Sequence, residues 1–583
     1  MNTRQKLAAV VTHALFCAAA LGAGKAQIQV EELTLGNGMR FLLYEQHDSP
    51  TVAAGWVAHV GSANERPGIT GLSHFFEHMM FKGTRTIGTK DLAADLRLID
   101  QQESLREEMR REEALARERL RRGEIDDPQK PENWSARYKE LRARFETLVQ
   151  EQRKTIVKDE LDQIYTRNGG EALNAFTNND LTGYFVRVPQ NRLELWAWLE
   201  SDRLLNPVFR EFYSERDVVF EERRLRTESS PLGKFDEAFD ALFWDAHPYT
   251  WPVVGWASDI PSYTKAQADA YFATYYAPNN LTGVLAGDFR AAEVKPLLER
   301  YFGRIPRGKE PVPEVLTLEP AQLGEKRYAA EAETPPTVRI RWQGVSFVHR
   351  DRTVLDLLTD LLSGRTGRLY KGLVLRRKVA NEADARVDLG KYGGSIEIEC
   401  VVKDGHEPAA VEQAVYEELA ALQEQPVPDD ELAKVKNQAK ANAYRRLSSP
   451  FFVLVQLMQY VGRGDWRYIN SYADEVDAVT AADIQRVAKT YFARERRTVG
   501  TFTRKAGAAP EDPEIQALPE AQRAQARQAL AQVRGETDAA RLRQMIEQLT
   551  QAGSQAPPEA APLVALLKRR AEERLAALED GRK

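Results

Sequence analysis

Residues 74–78 read His-Phe-Phe-Glu-His. On a helix, side chains four positions apart share one face, so His74 and His78 project two imidazoles side by side. That spacing suits two nitrogen ligands on one zinc ion, and Glu77 can reach a water on the metal from the same side. The order is the mirror image of His-Glu-x-x-His, the inverted zincin pattern. Only 8 residues of the chain are histidine, so the pairing is not readily put down to accident. A catalytic zinc wants a third protein ligand and one open position. The candidate lies in SERDVVFEERR, residues 214–224. A helix there puts Glu215 and Glu222 two turns apart on one face, with Val218 and Val219 between them. Glu221 is one position round and reads as solvated.

These side chains need elements to hold them. Residues 30–61 read as strands: Glu32 to Leu35, a Gly36-Asn37-Gly38 turn and Met39 to Tyr44 form a hairpin signal, and Thr51 to Val60 alternates as a half-buried strand. A helix is expected over 71–81. Strand character returns at 171–188, and 281–288 reads as a buried strand. Pro306 to Pro320 is the linker candidate. A second αβ region is expected over 325–504, with strands near 337–343 and 394–402 and helices near 353–363, 408–423 and 429–447. Residues 100–165 differ: they are densely charged, yet Trp134, Tyr138, Leu141, Phe145 and Leu148 form a heptad-like seam. They read as an antiparallel helical hairpin projecting from the body. The tail 506–583 is rich in Ala, Gln, Glu and Arg, with two helical stretches separated at 555–559, and reads as helical or partly disordered.

The chain has 583 residues, 43% hydrophobic and 29% charged, which excludes a wholly disordered protein or a small disulfide scaffold. Its 81 basic and 86 acidic residues nearly cancel, at −5 net, and the hairpin interleaves both signs, so no nucleic-acid partner is expected. Arg4 and Lys6, the apolar run Leu7 to Leu21 and small residues up to Ala26 have the layout of a secretory signal peptide. With cleavage near Ala26 the protein is expected in the periplasm or secreted, with no transmembrane segment left. Only Cys400 then remains, in an alternating strand context that suits a packed thiol better than a nucleophile.

Residues 71–84, Gly-Leu-Ser-His-Phe-Phe-Glu-His-Met-Met-Phe-Lys-Gly-Thr, resemble the zinc-site helix of the pitrilysin/insulinase metallopeptidases and their mitochondrial processing peptidase relatives. Gly61 to Glu65, Asn174 to Thr177 with Tyr184, Glu215 to Glu222, His247-Pro-Tyr249 and Tyr276 to Asn280 extend the likeness over most of 30–300. It is weaker beyond, chiefly at Gly367 to Tyr370 and Gly393-Gly394. The resemblance implies an α+β fold: two related αβ domains, each an antiparallel sheet flanked by helices, forming half of a clamshell. It divides the chain into a signal peptide (1–26), an N-terminal zinc peptidase domain (27–310, with the hairpin 100–165 inserted), a C-terminal domain (311–505) and the tail (506–583). It implies one Zn2+ held by His74, His78 and Glu222, with Glu77 as general base and Glu215 supporting the site. Asn174, Ala175, Phe176 and Thr177 become the edge strand on which a peptide docks. The expected activity is zinc-dependent endoproteolysis of peptides or unfolded segments; the alternative is a non-catalytic binding or assembly subunit that keeps the fold.

Two departures stand out. The gap from His78 to Glu222 is about twice the family's, and the hairpin accounts for the excess. The Arg and Tyr with which active relatives hold substrate are replaced by Val374 and Asn381. That pattern resembles the zinc-bearing half of a split enzyme, so a heteromeric partner supplying the Arg–Tyr pair is expected.

Overall fold

A computed structural model of the chain describes residues 28–580 apart from 506–512, 537, 556 and 558–559. The expected signal peptide lies outside the described residues. Two sheets organise the body. The first contains β1 (Glu31–Thr34), β2 (Arg40–Glu45), β3 (Thr51–Ala58), β4 (Glu171–Thr177), β5 (Thr182–Pro189) and β6 (Leu281–Gly287), in the order β1-β2-β6-β3-β5-β4. The second contains β7 (Lys326–Ala332), β8 (Thr337–Gln343), β9 (Ala380–Leu389), β10 (Gly394–Val402) and β11 (Arg497–Arg504), in the order β7-β11-β8-β10-β9. The last five strands of the first order match the second one for one. Both sheets are antiparallel except for one parallel pair, β2 with β6 and β7 with β11. Long helical crossovers lead into β6 and β11, which is what a parallel neighbour requires. The α+β fold of two related αβ units is therefore the architecture observed, with mixed rather than purely antiparallel sheets.

The helices that bear on the site are α1 (Leu72–Met79), α2 (Leu92–Arg121), α3 (Ala136–Thr155), α4 (Phe212–Arg223), α5 (Gly233–Phe243), α6 (Arg352–Leu362) and α7 (Pro450–Arg463). β3 is buried along nearly its whole length, not on one face as its alternation suggests. Trp56 and Val52 face a core that includes α1. Ala53 and Val57 face Val453, Leu454, Leu457 and Met458 of α7, a helix from the second half of the chain. Ala53, with Gly55 next on that side, keeps the face small enough for α7 to approach.

Helices α2 and α3 form the expected hairpin. Leu105 and Met109 pack on Leu141, with Tyr138, Phe145 and Leu148 beside them. Trp134 is covered by the Arg142 guanidinium, 4.5 Å from its ring centre. The tail contains α8 (Glu520–Gly535), α9 (Ala539–Gln555) and α10 (Ala561–Asp580), one more long helix than the sequence suggests, because the chain breaks after Gly535. Leu530, Leu563 and Leu566 form one of its small cores. Cys400 is buried in β10, and burial pushes its thiol pKa up, so it is a packed strand residue.

Candidate metal centre

Helix α1 begins at Gly71, whose φ of +87° places it in the left-handed region, and a Cβ there would meet the Val254 carbonyl at 2.3 Å. The Glu65 carboxylate accepts hydrogen bonds from the Gly71 and Ser73 amides, both at 2.6 Å, so an acid caps the helix start. Burial pushes the Glu65 pKa up to about 8, while Ser73 and the Gly71 amide pull it back. Leu72, Phe75, Phe76 and Met79 bury the opposite face. The Tyr184 hydroxyl donates to the Phe76 carbonyl at 3.1 Å and its ring stacks on Trp56. The helix is thus fixed at its start and along its length, and the two histidines emerge on one side.

Helix α4 brings Glu215 and Glu222 to the same place. His74 Nε2 lies 3.7 Å from one Glu222 oxygen and His78 Nε2 lies 3.3 Å from the other. Among the described residues, His74, His78 and Glu222 offer ligand atoms within 4.8 Å of one another. Tetrahedral zinc with bonds of about 2.1 Å separates its ligand atoms by about 3.4 Å, so the three fit zinc. His78 Nδ1 is 2.9 Å from Glu215 Oε1, a hydrogen bond that leaves Nε2 for a metal. Lys82 pairs with the other Glu215 oxygen at 2.5 Å. His74 is 6% exposed and its Nδ1 has no hydrogen-bond partner. Without a metal, burial disfavours the His78 imidazolium, but Glu215 and Glu222 outweigh it and raise its pKa to about 9. Burial resists ionisation of Glu215, and His78 and Lys82 overcome it, to about 2. Burial, and then the charge on His78, holds His74 below the ordinary histidine range. Lys82 on Glu215 and Arg226 on Glu222 balance the two carboxylates, and two imidazole nitrogens with one carboxylate are a donor set of the kind zinc takes.

Glu77 points to the same side. Burial raises its pKa, and Thr177 Oγ1 donates to it at 2.6 Å. Of the four residues expected to dock substrate, Thr177 is therefore tied to the acid, and Asn174 and Ala175 line a cavity of about 310 Å3 with Glu77 and His78. Phe176 departs from that expectation. It turns to the opposite face, against Phe185 and the α7 cluster, because neighbours on a strand alternate. The backbone of β4 is still the edge of the sheet. A register shift between Glu171 and Asn174, with Ala172 at φ +54°, bends it there. Glu221 is exposed and pairs with Arg224. Val219 is buried, but Val218 is 51% exposed, so the two valines do not share a buried stripe. Val374 packs against the second core, and Asn381 is exposed on β9.

Sequence reasoning missed Arg210. Its guanidinium pairs with Asp95 of α2 at 2.5 Å and donates to the carbonyls of Lys82, Thr84 and Ile87, just beyond α1. It joins the turn after α1, the root of the hairpin and the approach to α4. The hairpin also grips α4 through Tyr213, whose hydroxyl donates to Glu103 and whose ring meets Phe145. Ile156 and Val157, at the hairpin's exit, line the cavity beside Glu77.

A model described as "Insulinase (Peptidase family M16)" matches residues 40–102, and one described as "Peptidase M16 inactive domain" matches 262–439. The zinc protease PqqE of Helicobacter pylori is 29% identical over 360 residues, spanning 58% of this chain and 78% of that one. YmxG of Bacillus subtilis, described as an uncharacterized zinc protease, is 22% identical and covers 72% of this chain and 85% of its own length. A crystallised protease from Helicobacter pylori superposes with a TM-score of 0.67 at 22% identity, over 82% of this chain and all of that one. Pitrilysin gives 0.59 at 16% identity, and the match covers 82% of this chain but 45% of pitrilysin. No helix among the described residues is long and apolar enough to cross a membrane. With both family models matching in chain order and the duplicated half-clamshell fold shared with these structures, the chain is a pitrilysin/insulinase-family, M16-peptidase-like protein.

Proposed function

We propose that the protein is a zinc-dependent endopeptidase acting on peptides or unfolded segments. The observation that carries this reading is the convergence of His74, His78 and Glu222, with Glu77 held beside them by Thr177 and the edge of β4. His74, His78 and Glu222 would hold one zinc ion, and Glu215 would orient His78. Zinc, when bound, supplies Lewis acidity and lowers the pKa of water at the site towards about 7. Glu77 takes the proton from the attacking water and returns it to the leaving amine. The free edge of β4 pairs with the substrate backbone, which makes recognition tolerant of side chains. With Val374 and Asn381 where the resemblance leads one to expect Arg and Tyr, a partner subunit completes the substrate site. The match of pitrilysin over 45% of its length, and of the protease PqqL of Escherichia coli over 50%, is consistent with such a half. With residues 1–26 acting as a leader, the enzyme works in the periplasm or outside the cell.

One observation favours a second reading, a binding or assembly subunit: the model matching 262–439 describes an inactive domain. Zinc content and cleavage of a quenched peptide, with any co-purifying chain present, separate the two. The endopeptidase reading expects about one zinc per chain and turnover, with Glu77→Gln keeping the zinc and losing at least about 100-fold in kcat. Full zinc occupancy without cleavage would favour the binding subunit.

A further inference from the structure

Helix α4 does not stop at its metal-side carboxylates. Arg224–Glu228 continues it as one π-helical turn, a form of backbone found often at functional sites. This turn brings Arg226, four residues beyond Glu222, onto the stripe of Glu215 and Glu222. Arg226 Nη2 lies 2.7 Å from Glu222 Oε1, yet 63% of the side chain is exposed. Lys82, on the other side of the site, is committed to Glu215 and less exposed. The Arg226 contact sets the guanidinium against a carboxylate that His74 and His78 also face, at 3.7 and 3.3 Å, so it lies at the rim of the cluster. Leu225, next in sequence, is 55% exposed, and Val218, one turn before Glu222, is 51% exposed. A guanidinium has five donors in a rigid fork, and one contact with Glu222 does not exhaust them.

We propose that Arg226 is a catalytic residue that donates to the carbonyl oxygen of the scissile bond and stabilises the negative charge that develops there. The assignment rests on the endopeptidase reading and deepens it. Water adds to the carbonyl carbon, forming a C–O bond, and the π pair moves onto the carbonyl oxygen, facing Arg226. The proton of that water passes to Glu77. Collapse of the oxyanion breaks the C–N bond, and Glu77 returns the proton to the amine nitrogen. Glu222 holds the guanidinium in place before substrate arrives, so little reorganisation is needed during the reaction.

The test uses the full chain, zinc-loaded and with any co-purifying partner, as wild type, Arg226→Gln, Arg226→Lys and Glu77→Gln. Peptide cleavage is read with zinc content, and binding of a phosphinic peptide is read against its parent peptide. Arg226→Gln is expected to lower kcat about 100- to 1,000-fold. KM should stay within about three-fold and zinc content should be unchanged. The same variant should weaken phosphinic-peptide binding at least about ten-fold, with little effect on the parent peptide, and Arg226→Lys should recover part of both losses. Unchanged kcat in Arg226→Gln, equal phosphinic-peptide affinity, or a loss that tracks zinc release would each overturn the assignment. A wild type that holds zinc and binds both peptides, with the Arg226 difference intact, but cleaves nothing would end the peptidase reading alone.

Discussion

His78 shows how much a single side chain depends on its neighbours. Its Nδ1 is taken by Glu215, so Nε2 faces Glu222 in the tautomer a metal requires. Glu215→Ala is therefore expected to lower zinc affinity about 10- to 100-fold, measured by competition with a chromogenic chelator, while the fold is retained. A second residue-scale expectation lies far from the metal. Asp356 and Asp360 sit one turn apart on α6, and burial, followed by the charge on Asp360, raises the Asp356 pKa to about 7. The unfolded chain releases this proton near pH 4, whereas the folded chain keeps it until about pH 7. Between those values the native state binds more protons, so this residue's contribution to stability falls as pH rises and is lost above 7. Asp356→Asn should be more stable than wild type at pH 8, with the difference shrinking towards pH 4. Urea unfolding at the two pH values checks it, and an unchanged difference would refute it. Both histidines and Glu77 stood out in the sequence, because metal chemistry restricts residue type and spacing together; the choice of Glu222 over Glu215 rested on the family resemblance. Thr177's bond to Glu77 was not, because the two are 100 positions apart and a threonine in a strand carries no marker of its partner.

At the scale of elements, the distance between α1 and α4 decides whether His74, His78 and Glu222 can share an ion. Arg210 sets that distance by bonding the turn after α1 while pairing with Asp95 in the hairpin. Gln152 of α3 donates to the other Asp95 oxygen at 2.8 Å, so both helices of the insertion join the same knot. Asp95→Ala leaves a buried guanidinium without its counter-charge, which costs about 3–5 kcal/mol. Thermal unfolding should show that loss, and zinc should dissociate faster from the folded variant than from wild type. Wild-type zinc kinetics in Asp95→Ala would mean that the hairpin is only an ornament on the site. The hairpin itself was readable, because an apolar heptad seam on a charged background buries nothing unless a second helix lies along it. Its function as a brace was not. Arg210 is one of many arginines in the chain, and nothing local distinguishes a buried one whose partners lie more than 100 residues earlier, in the turn 82–87 and at Asp95.

Across the whole molecule, the two αβ units read from the sequence do not have independent interiors. Sheet one has one face on its own helices and the other on α7, which follows most of the second unit. Polar ties cross as well. Asp236 and Asp240 of α5 pair with Arg339 and Arg341 of β8. Asp180 accepts from Tyr249 and from the Lys391 amide, at 2.7 Å for the latter. This sharing is why residues 51–60 read as a half-buried strand in the sequence: with no view of α7, Ala53 and Val57 look like the outer face. A fragment of residues 28–310 would expose Leu42, Ala53, Val57, Val284 and Ala286 together, a contiguous apolar surface that invites aggregation. Expressed alone, it should be insoluble or bind a hydrophobic dye without a cooperative transition. Residues 28–505 should instead unfold in a single calorimetric transition, with matching van't Hoff and calorimetric enthalpies. A soluble 28–310 fragment that unfolds cooperatively and binds zinc would show that the first unit folds on its own. The expected coupling has a consequence for the site: β4 and β5 rest on α7 through Phe176, Phe185 and Gly183, where a Cβ would meet Met458 at 2.7 Å. Gly183→Val should therefore disturb the edge strand beside Glu77 by pushing on a helix of the other half.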